Sequence, residues 1–549
     1  MKHWILFSFL LAFGSLLAAQ PSIDTNGVAN VSSAQTTLAP NVVFVIYGKN
    51  LGPATIAFAT PPNYPAVLAN TSVTFTNIAG GAAINALLYY TFAGAVVGVL
   101  PSSTSPGTYA VRVIYLGQTS NAQNVTVVAR HFGIAAANAI GTGVAQATIA
   151  NVNGGYSLTR YTTSGTGGAG NFVNTPAHGG DTLSLWGTGG GADAANDTGG
   201  SSGDQTAAGN FKVMVGTRVI TPGYTAAVAG YPGLWVLNFT LPADIDADCY
   251  ASLQVSANGE LGNAVVLPIA AAGQSACFDP QLTPAILSKL DSGGSITGGT
   301  FGVYKVVSTG GNTEGSSGAV FKWTAAEWTA AAPIRKTSGC GVYDRTFARP
   351  GTDPSSPAAN LDAGANIPLS GPNLAAGTAL AVITTATGPF YAFVASSGTI
   401  AAGKYTLTSN GGSQVGPFTV SANFPGSFTV TNFDAIASIS RSQPLVINWT
   451  SSGTDIVYIL ISTAVVSSTT QHLITLQCIV PSAPGTFTVP VGFLSQLQPV
   501  AASGTSFGSI SVEGAANPTS FTANLVSGGQ LDFGVFSPNL GVSKNIAVQ

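Results

Sequence analysis

The sequence predicts an all-β chain built as tandem β-sandwiches, and three observations predict it. Charged residues make up 7% of the 549 positions, against roughly 25% in an ordinary soluble domain. Gly (68) and Pro (31) punctuate a chain that is 45% hydrophobic, the mixture expected of strands joined by many turns. Short runs of period-two alternation also recur between turn signals about every ten residues. Helical periodicity is confined to FKWTAAEWTAAA (321–332), closed by Pro333. So apolar a composition excludes a disordered chain. The formal charge of −3 supplies no basic field for nucleic acid or acidic membranes.

In chain order, residues 1–19 read as a secretory signal. Lys2 and His3 begin it, Ile5 to Leu17 is apolar, and Ala18-Ala19 offers small residues for cleavage before Gln20. The mature chain is then secreted, and thiols in it favour disulfides. The apolar run INALLYYTFAGAVVGVL (84–100) is at the short limit for a bilayer span and contains Asn85, Thr91, Gly94 and Gly98. Two buried strands account for it better, so no membrane span is expected in the mature chain.

Residues 20–130 and 131–279 form two copies of one unit. The first has VVFVIYGKNLG (42–52), SVTFT (72–76), a strand closing in Leu100-Pro101, then Tyr109 and AVRVIYLG. The second has TLSLWGTGGG (182–191), FKVMV (211–215), Leu241-Pro242 and Tyr250. The offset between the Leu-Pro landmarks equals that between the tyrosines, so the duplication is real. Ala251, Leu253 and Val255 alternate with polar residues up to Asn258-Gly259, a type I′ hairpin signal. That register sets Cys249 near Pro268, where Cys277 can reach it; Cys340 and Cys478 pair by elimination. A third β-rich unit spans 280–424. The turn Asn423 to Gly426 then opens a fourth sandwich, 425–549, with Trp449 in its core.

Motifs of chemistry fail their context tests. Gly199 to Gly203 and Gly504 to Gly508 satisfy G-x-S-x-G around Ser201 and Ser506, but neither sits between a strand and a helix with Asp and His after it. Gly165 to Gly170 matches G-x-G-x-x-G within a Gly, Thr and Ser run that has no βαβ unit around it. His131, His178 and His472 lack ligand spacing.

Two acidic clusters are candidate Ca²⁺ sites. Asp244, Asp246 and Asp248 alternate, so an extended loop would set three carboxylates on one face. Asp193, Asp197 and Asp204 lie on a Gly-rich loop able to wrap a hard cation. Solvated loop carboxylates are the plainer account of both. Trp323 with Trp328, and Phe390, Tyr391 and Phe393, are the aromatic sets to inspect for sugar contact, against core packing.

IYGKNLG (46–52), YPGLWVLNFTLP (231–242) and the stretch from Asp248 to Cys277 resemble the Solibacter C-terminal domain family of secreted acidobacterial proteins, with IPT/TIG-like units. The resemblance covers about half the chain, from Val28 to Cys277, with weaker likeness at 361–373, 402–418 and 476–490. Val236, Gly94 and Ala95 depart from the family pattern. The resemblance implies tandem immunoglobulin-like sandwiches in an exported bacterial protein, with no catalytic residues and no defined ligand. The expectation is a non-enzymatic structural or adhesion protein at or beyond the cell surface, meeting an extracellular protein or glycan; the alternative is a carbohydrate-binding accessory protein, Ca²⁺-assisted. Residues 28–277 are expected to fold independently of the C-terminal half.

Overall fold

Alternation and turn chemistry build each sandwich as the sequence predicts. In the first, Val43–Lys49 lies between Ser22–Asn30 and Ala95–Val99, while Gly107–Tyr115 lies between Thr71–Asn77 and Gln123–Val127 in the facing sheet. The inward positions Phe44, Ile46, Val73, Phe75, Val111 and Val113 are buried in one core. The computed structural model describes residues 19–549 apart from 140, 151–154, 164, 168–171, 217, 309–310, 331–338, 349–358 and 467–469. The expected signal segment and part of the Gly165 to Gly170 motif therefore lie outside the described residues.

The second copy repeats this pairing. Thr182–Thr188 pairs Leu234–Thr240 as Val43–Lys49 pairs Ala95–Val99, and Lys212–Val215 pairs Asp248–Ala257 as Thr71–Asn77 pairs Gly107–Tyr115. The hairpin at Asn258-Gly259 has both φ angles positive (52° and 84°) and joins Ala257 to Glu260 across a two-residue loop. Only a type I′ turn has that signature. Cys249 bonds Cys277, and Cys340 bonds Cys478. The run 84–100 holds the short strand Ile84–Asn85, paired with Thr71–Asn77, and two antiparallel strands, Leu87–Phe92 and Ala95–Val99. Among the described residues no helix is long and apolar enough to cross a membrane.

The chain is thus all-β, with a pair of facing sheets in each of its first two units, but its C-terminal half departs from the expected division. One sheet runs without a break across 424/425, because Ser295–Ser308 pairs Phe533–Asn545 in parallel. The two cores interleave in sequence. Ala523, Leu531 and Phe536 join the core of Phe301 and Tyr391, while Cys340 and Val342 join that of Trp449. The Asn423–Gly426 turn is a turn within a shared sheet, since local turn chemistry does not report which distant strand completes an edge.

A second departure is at Cys277. Tyr161, Tyr250, Val266 and Cys249 from the first half share one core with Leu287, Ile296, Trp323, Trp328 and Phe533 from the second. Asp291 lies across the same seam: its carboxylate accepts from the backbone of Thr162 (2.8 Å) and Tyr161 (3.2 Å) and from the Thr162 hydroxyl (2.9 Å). A shared core therefore crosses the boundary expected at Cys277. The helical stretch is also shorter than expected: Phe321 to Thr324 end the strand Thr313–Thr324, and the helix is Ala325–Ala330.

Candidate functional site

Five of the six carboxylates singled out in the sequence are engaged by the scaffold. Buried Asp193 accepts from Ser202 Oγ (2.7 Å), the Ser202 and Ala195 amides and Gln205 Nε2, closing its own loop. Asp197 reaches the first sandwich, where Ser102 Oγ (2.6 Å) and the Ser102 amide donate to it. Asp204 accepts from the Thr206 hydroxyl (2.6 Å) and from the Thr206 and Thr225 amides, and these bonds hold its carboxyl below the usual range. Asp244 pairs with Arg218 (2.8 Å) on the exposed surface, Asp246 is exposed, and Asp248 is buried with Oδ1 accepting from the Tyr250 amide. A turn closed from the Ile245 amide to the Pro242 carbonyl breaks the alternation that would have aligned them. Among the described residues no group of three or more His, Cys, Asp or Glu could hold a metal ion.

The aromatics named from sequence take the core-packing role weighed against sugar contact. Trp323, Trp328 and Tyr391 are buried in cores, and Phe390 and Phe393 pack against them. Trp449 is a core residue as expected, its Nε1 donating to the Ser482 carbonyl (2.8 Å). Ser201 Oγ accepts from the Gly203 amide and Ser506 Oγ from the Val466 amide, both ordinary loop contacts.

The aromatic surface that does exist escaped the sequence reading. In Leu87–Phe92 the register slips between Leu88 and Tyr90 against Ala95–Val99. Such a bulge places an extra residue on one strand and re-aims its side chains. Leu88 and Thr91 therefore point into the core, while Tyr89, Tyr90 and Phe92 all lie half-buried on the outer face. Phe58 stands on the edge strand opposite Tyr90, 60% exposed, with ring centroids 5.6 Å apart. Tyr64 meets Tyr89 at 5.3 Å, and Tyr90 stacks on Phe92 at 6.4 Å. Burial and the neighbouring phenols of Tyr89 and Tyr231 push the Tyr64 hydroxyl up to about 12, and burial likewise raises Tyr90. The patch is therefore a set of neutral rings with hydroxyl edges. The doublet Tyr89-Tyr90 inside an alternating run is the signal that could have disclosed it.

A polar seam lies where the first two sandwiches meet the C-terminal half. His472 Nε2 donates to Asp344 (2.6 Å), its Nδ1 accepts from Gln498, and Gln35 also donates to Asp344 (3.4 Å). A cleft of about 330 Å³ opens beside it, lined by Gln35, Glu260, Asp344, Arg441 and Gln496. His131 is 6% exposed nearby, and burial lowers its pKa to about 4, partly offset by Asp344. Between the ordinary value near 6.5 and 4, the unfolded chain binds this proton and the folded chain does not. The stability His131 contributes is therefore present above pH 6.5 and lost as pH falls to 4, about 3 kcal/mol in all. Thermal melts from pH 7 to 4 should show this loss, and His131→Gln should flatten that part of the profile relative to wild type.

No family model and no curated protein matches this chain. Among solved structures it is similar to a tetra-tandem repeat in the extending region of a large adhesion protein, at 14% identity, covering 92% of this chain and 98% of the other with a TM-score of 0.13. It is similar to the SGBP-B protein of a xyloglucan utilization locus in Bacteroides uniformis, at 10% identity over 64% and 76% of the two chains, TM-score 0.13. Immunoglobulin domains 1–4 of Sidekick-1 match at 10% identity over 95% and 98%, TM-score 0.12. Such scores mark poor superposition, and no activity or ligand follows from them.

Proposed function

We propose that this chain is a non-enzymatic extracellular structural and adhesion protein, exported by its N-terminal segment, with the outer aromatic face of the first sandwich as its contact surface. The observation that carries the reading is that face: Phe58, Tyr64, Tyr89, Tyr90 and Phe92 gather on one side of a sheet, opposite the sandwich core, and the last three pack over a small cluster of Ala29, Val45, Ala95 and Val97. Aromatic rings with polar edges give large contact area at small entropic cost. The acidic groups, by contrast, serve loops and seams. The two disulfides suit an oxidising location.

The same rings favour a second reading, a carbohydrate-binding accessory protein, because uncharged ring faces stack on neutral sugars. Binding of the purified mature chain to immobilised neutral polysaccharides and to extracellular matrix proteins, compared with Phe58→Ala and with Tyr47→Ala, whose phenol lies beside Tyr90, separates the two. Tyr47 and Phe58 are more than half exposed, so truncation should leave folding intact. Retention that drops at least several-fold in these variants supports the contact surface, and the class of retaining matrix selects the reading. Equal retention of variants and wild type on every matrix would remove it.

A further inference from the structure

We propose that the C-terminal half is a load-bearing clamp, closed by the parallel ladder between Ser295–Ser308 and Phe533–Asn545 and shortened by the Cys340–Cys478 bond. The inference rests on the structural reading above in purpose, but its geometry stands by itself.

The two strands are neighbours over eleven consecutive pairs, from Gly298 opposite Phe533 to Ser308 opposite Ser543. The chain comes into this half at the Ser295 end of the first strand and passes beyond Asn545, at the opposite end of the second, into Ala547–Val548, which has only two pairs with Ser438–Ile439 and should yield first. Because the strands are parallel, tension between the two chain ends slides one along the other. All rungs of the ladder then carry load together, whereas strands pulled apart from one end lose their rungs one at a time.

Both strands are interior to the sheet. Ser295–Ser308 is also held by Thr313–Thr324 over twelve pairs, and Phe533–Asn545 by Phe507–Ala515. Neither can swing out of plane without breaking a second ladder. The loaded end carries an added fastening: Asp532 accepts from the Thr297 amide (2.7 Å) and from Lys289 Nζ (3.2 Å), tying the strand to the helix Pro284–Asp291. The first sandwich supplies an internal comparison. Its parallel contact, Thr37–Leu38 with Gln123–Val127, has two pairs, so it should yield long before the clamp does.

The disulfide sets how far the half lengthens after the clamp gives way. Cys340 and Cys478 are 138 residues apart in sequence and directly opposite on adjacent strands. The residues between them are bypassed by the bond and cannot extend under load. Freed, they would add about 3.3–3.6 Å each, or roughly 450–500 Å.

Single-molecule pulling on the full mature chain tests this. Handles at residue 20 and Gln549 load the ladder in shear, and handles at the exposed Asn312 and Gln549 load it from one end. Forced unfolding reads the barrier to rupture. The event that opens the C-terminal half is expected at several-fold higher force in the first geometry. The length released should increase by about 450–500 Å when reductant is present, a readout independent of any loss of stability. Equal rupture forces in the two geometries would overturn the clamp, and an unchanged release length on reduction would overturn the role of the disulfide. Loss of matrix retention in the aromatic variants affects neither measurement, so failure of the adhesion reading remains distinguishable.

Discussion

A chain ended just after Cys277 is expected to aggregate, or to melt far below the intact protein, under oxidising conditions. Tyr161, Tyr250 and Val266 are each no more than 1% exposed, and in the intact chain they share a core with Leu287, Ile296, Trp323, Trp328 and Phe533. Fully burying one such side chain contributes about 1.5–3 kcal/mol. Losing even half the cover on these three removes roughly 2–5 kcal/mol, a large share of the about 5–15 kcal/mol of a typical domain. The cut also strips the carboxylate of Asp291 from the amides of Tyr161 and Thr162. Thermal melting and light scattering of the two proteins side by side check this. A soluble fragment melting cooperatively at the temperature of the whole chain would contradict the shared core.

Replacing Cys340 and Cys478 together by Ala should cost about 5 kcal/mol by chain entropy, since the bond closes a long loop. Loss of the Cys249–Cys277 bond, with a separation of 28 residues, should cost about 3–4 kcal/mol. The larger effect has a structural counterpart. Gly339–Ala348 stands at the end of the sheet, held along one edge by Thr470–Pro481, and the Cys pair fixes that register. Denaturant titration of the double variant, read separately by Trp fluorescence and by far-UV dichroism, should show the C-terminal half unfolding first. Wild-type protein should unfold at markedly higher denaturant. Coincident midpoints for the two proteins would mean that the sheet end is secured by packing alone.

The fold class was legible residue by residue, because alternation has a period that only strands share, and Val111 and Val113, Leu253 and Val255 all point inward as that period requires. The hairpin at Asn258-Gly259 was legible because the two residues tolerate positive φ, and Cys249–Cys277 followed from its register. Cys340–Cys478 followed only by elimination. The duplication was legible through two landmarks at one offset, and equivalent strands do pair equivalently.

What the sequence did not carry is non-local. Nothing near Asn423 or Phe424 announces that a strand more than a hundred residues later will lie parallel to Ser295–Ser308, because parallel pairing has no turn to sign it. Asp193 and Asp197 looked alike in a Gly-rich loop, yet one closes that loop and the other fastens Ser102 of the preceding sandwich. Trp323 and Trp328 sit in a seam between halves that only the packed chain creates, whereas one slipped residue beside Leu88 turned Tyr89 and Tyr90 outward together. Sequence by itself determined the local features of this protein: strand period, turn type, redox chemistry and the repeat. Tertiary structure decided which faces were left uncovered and which strands bear on one another, since burial and long-range register depend on every other segment and are encoded in no single stretch.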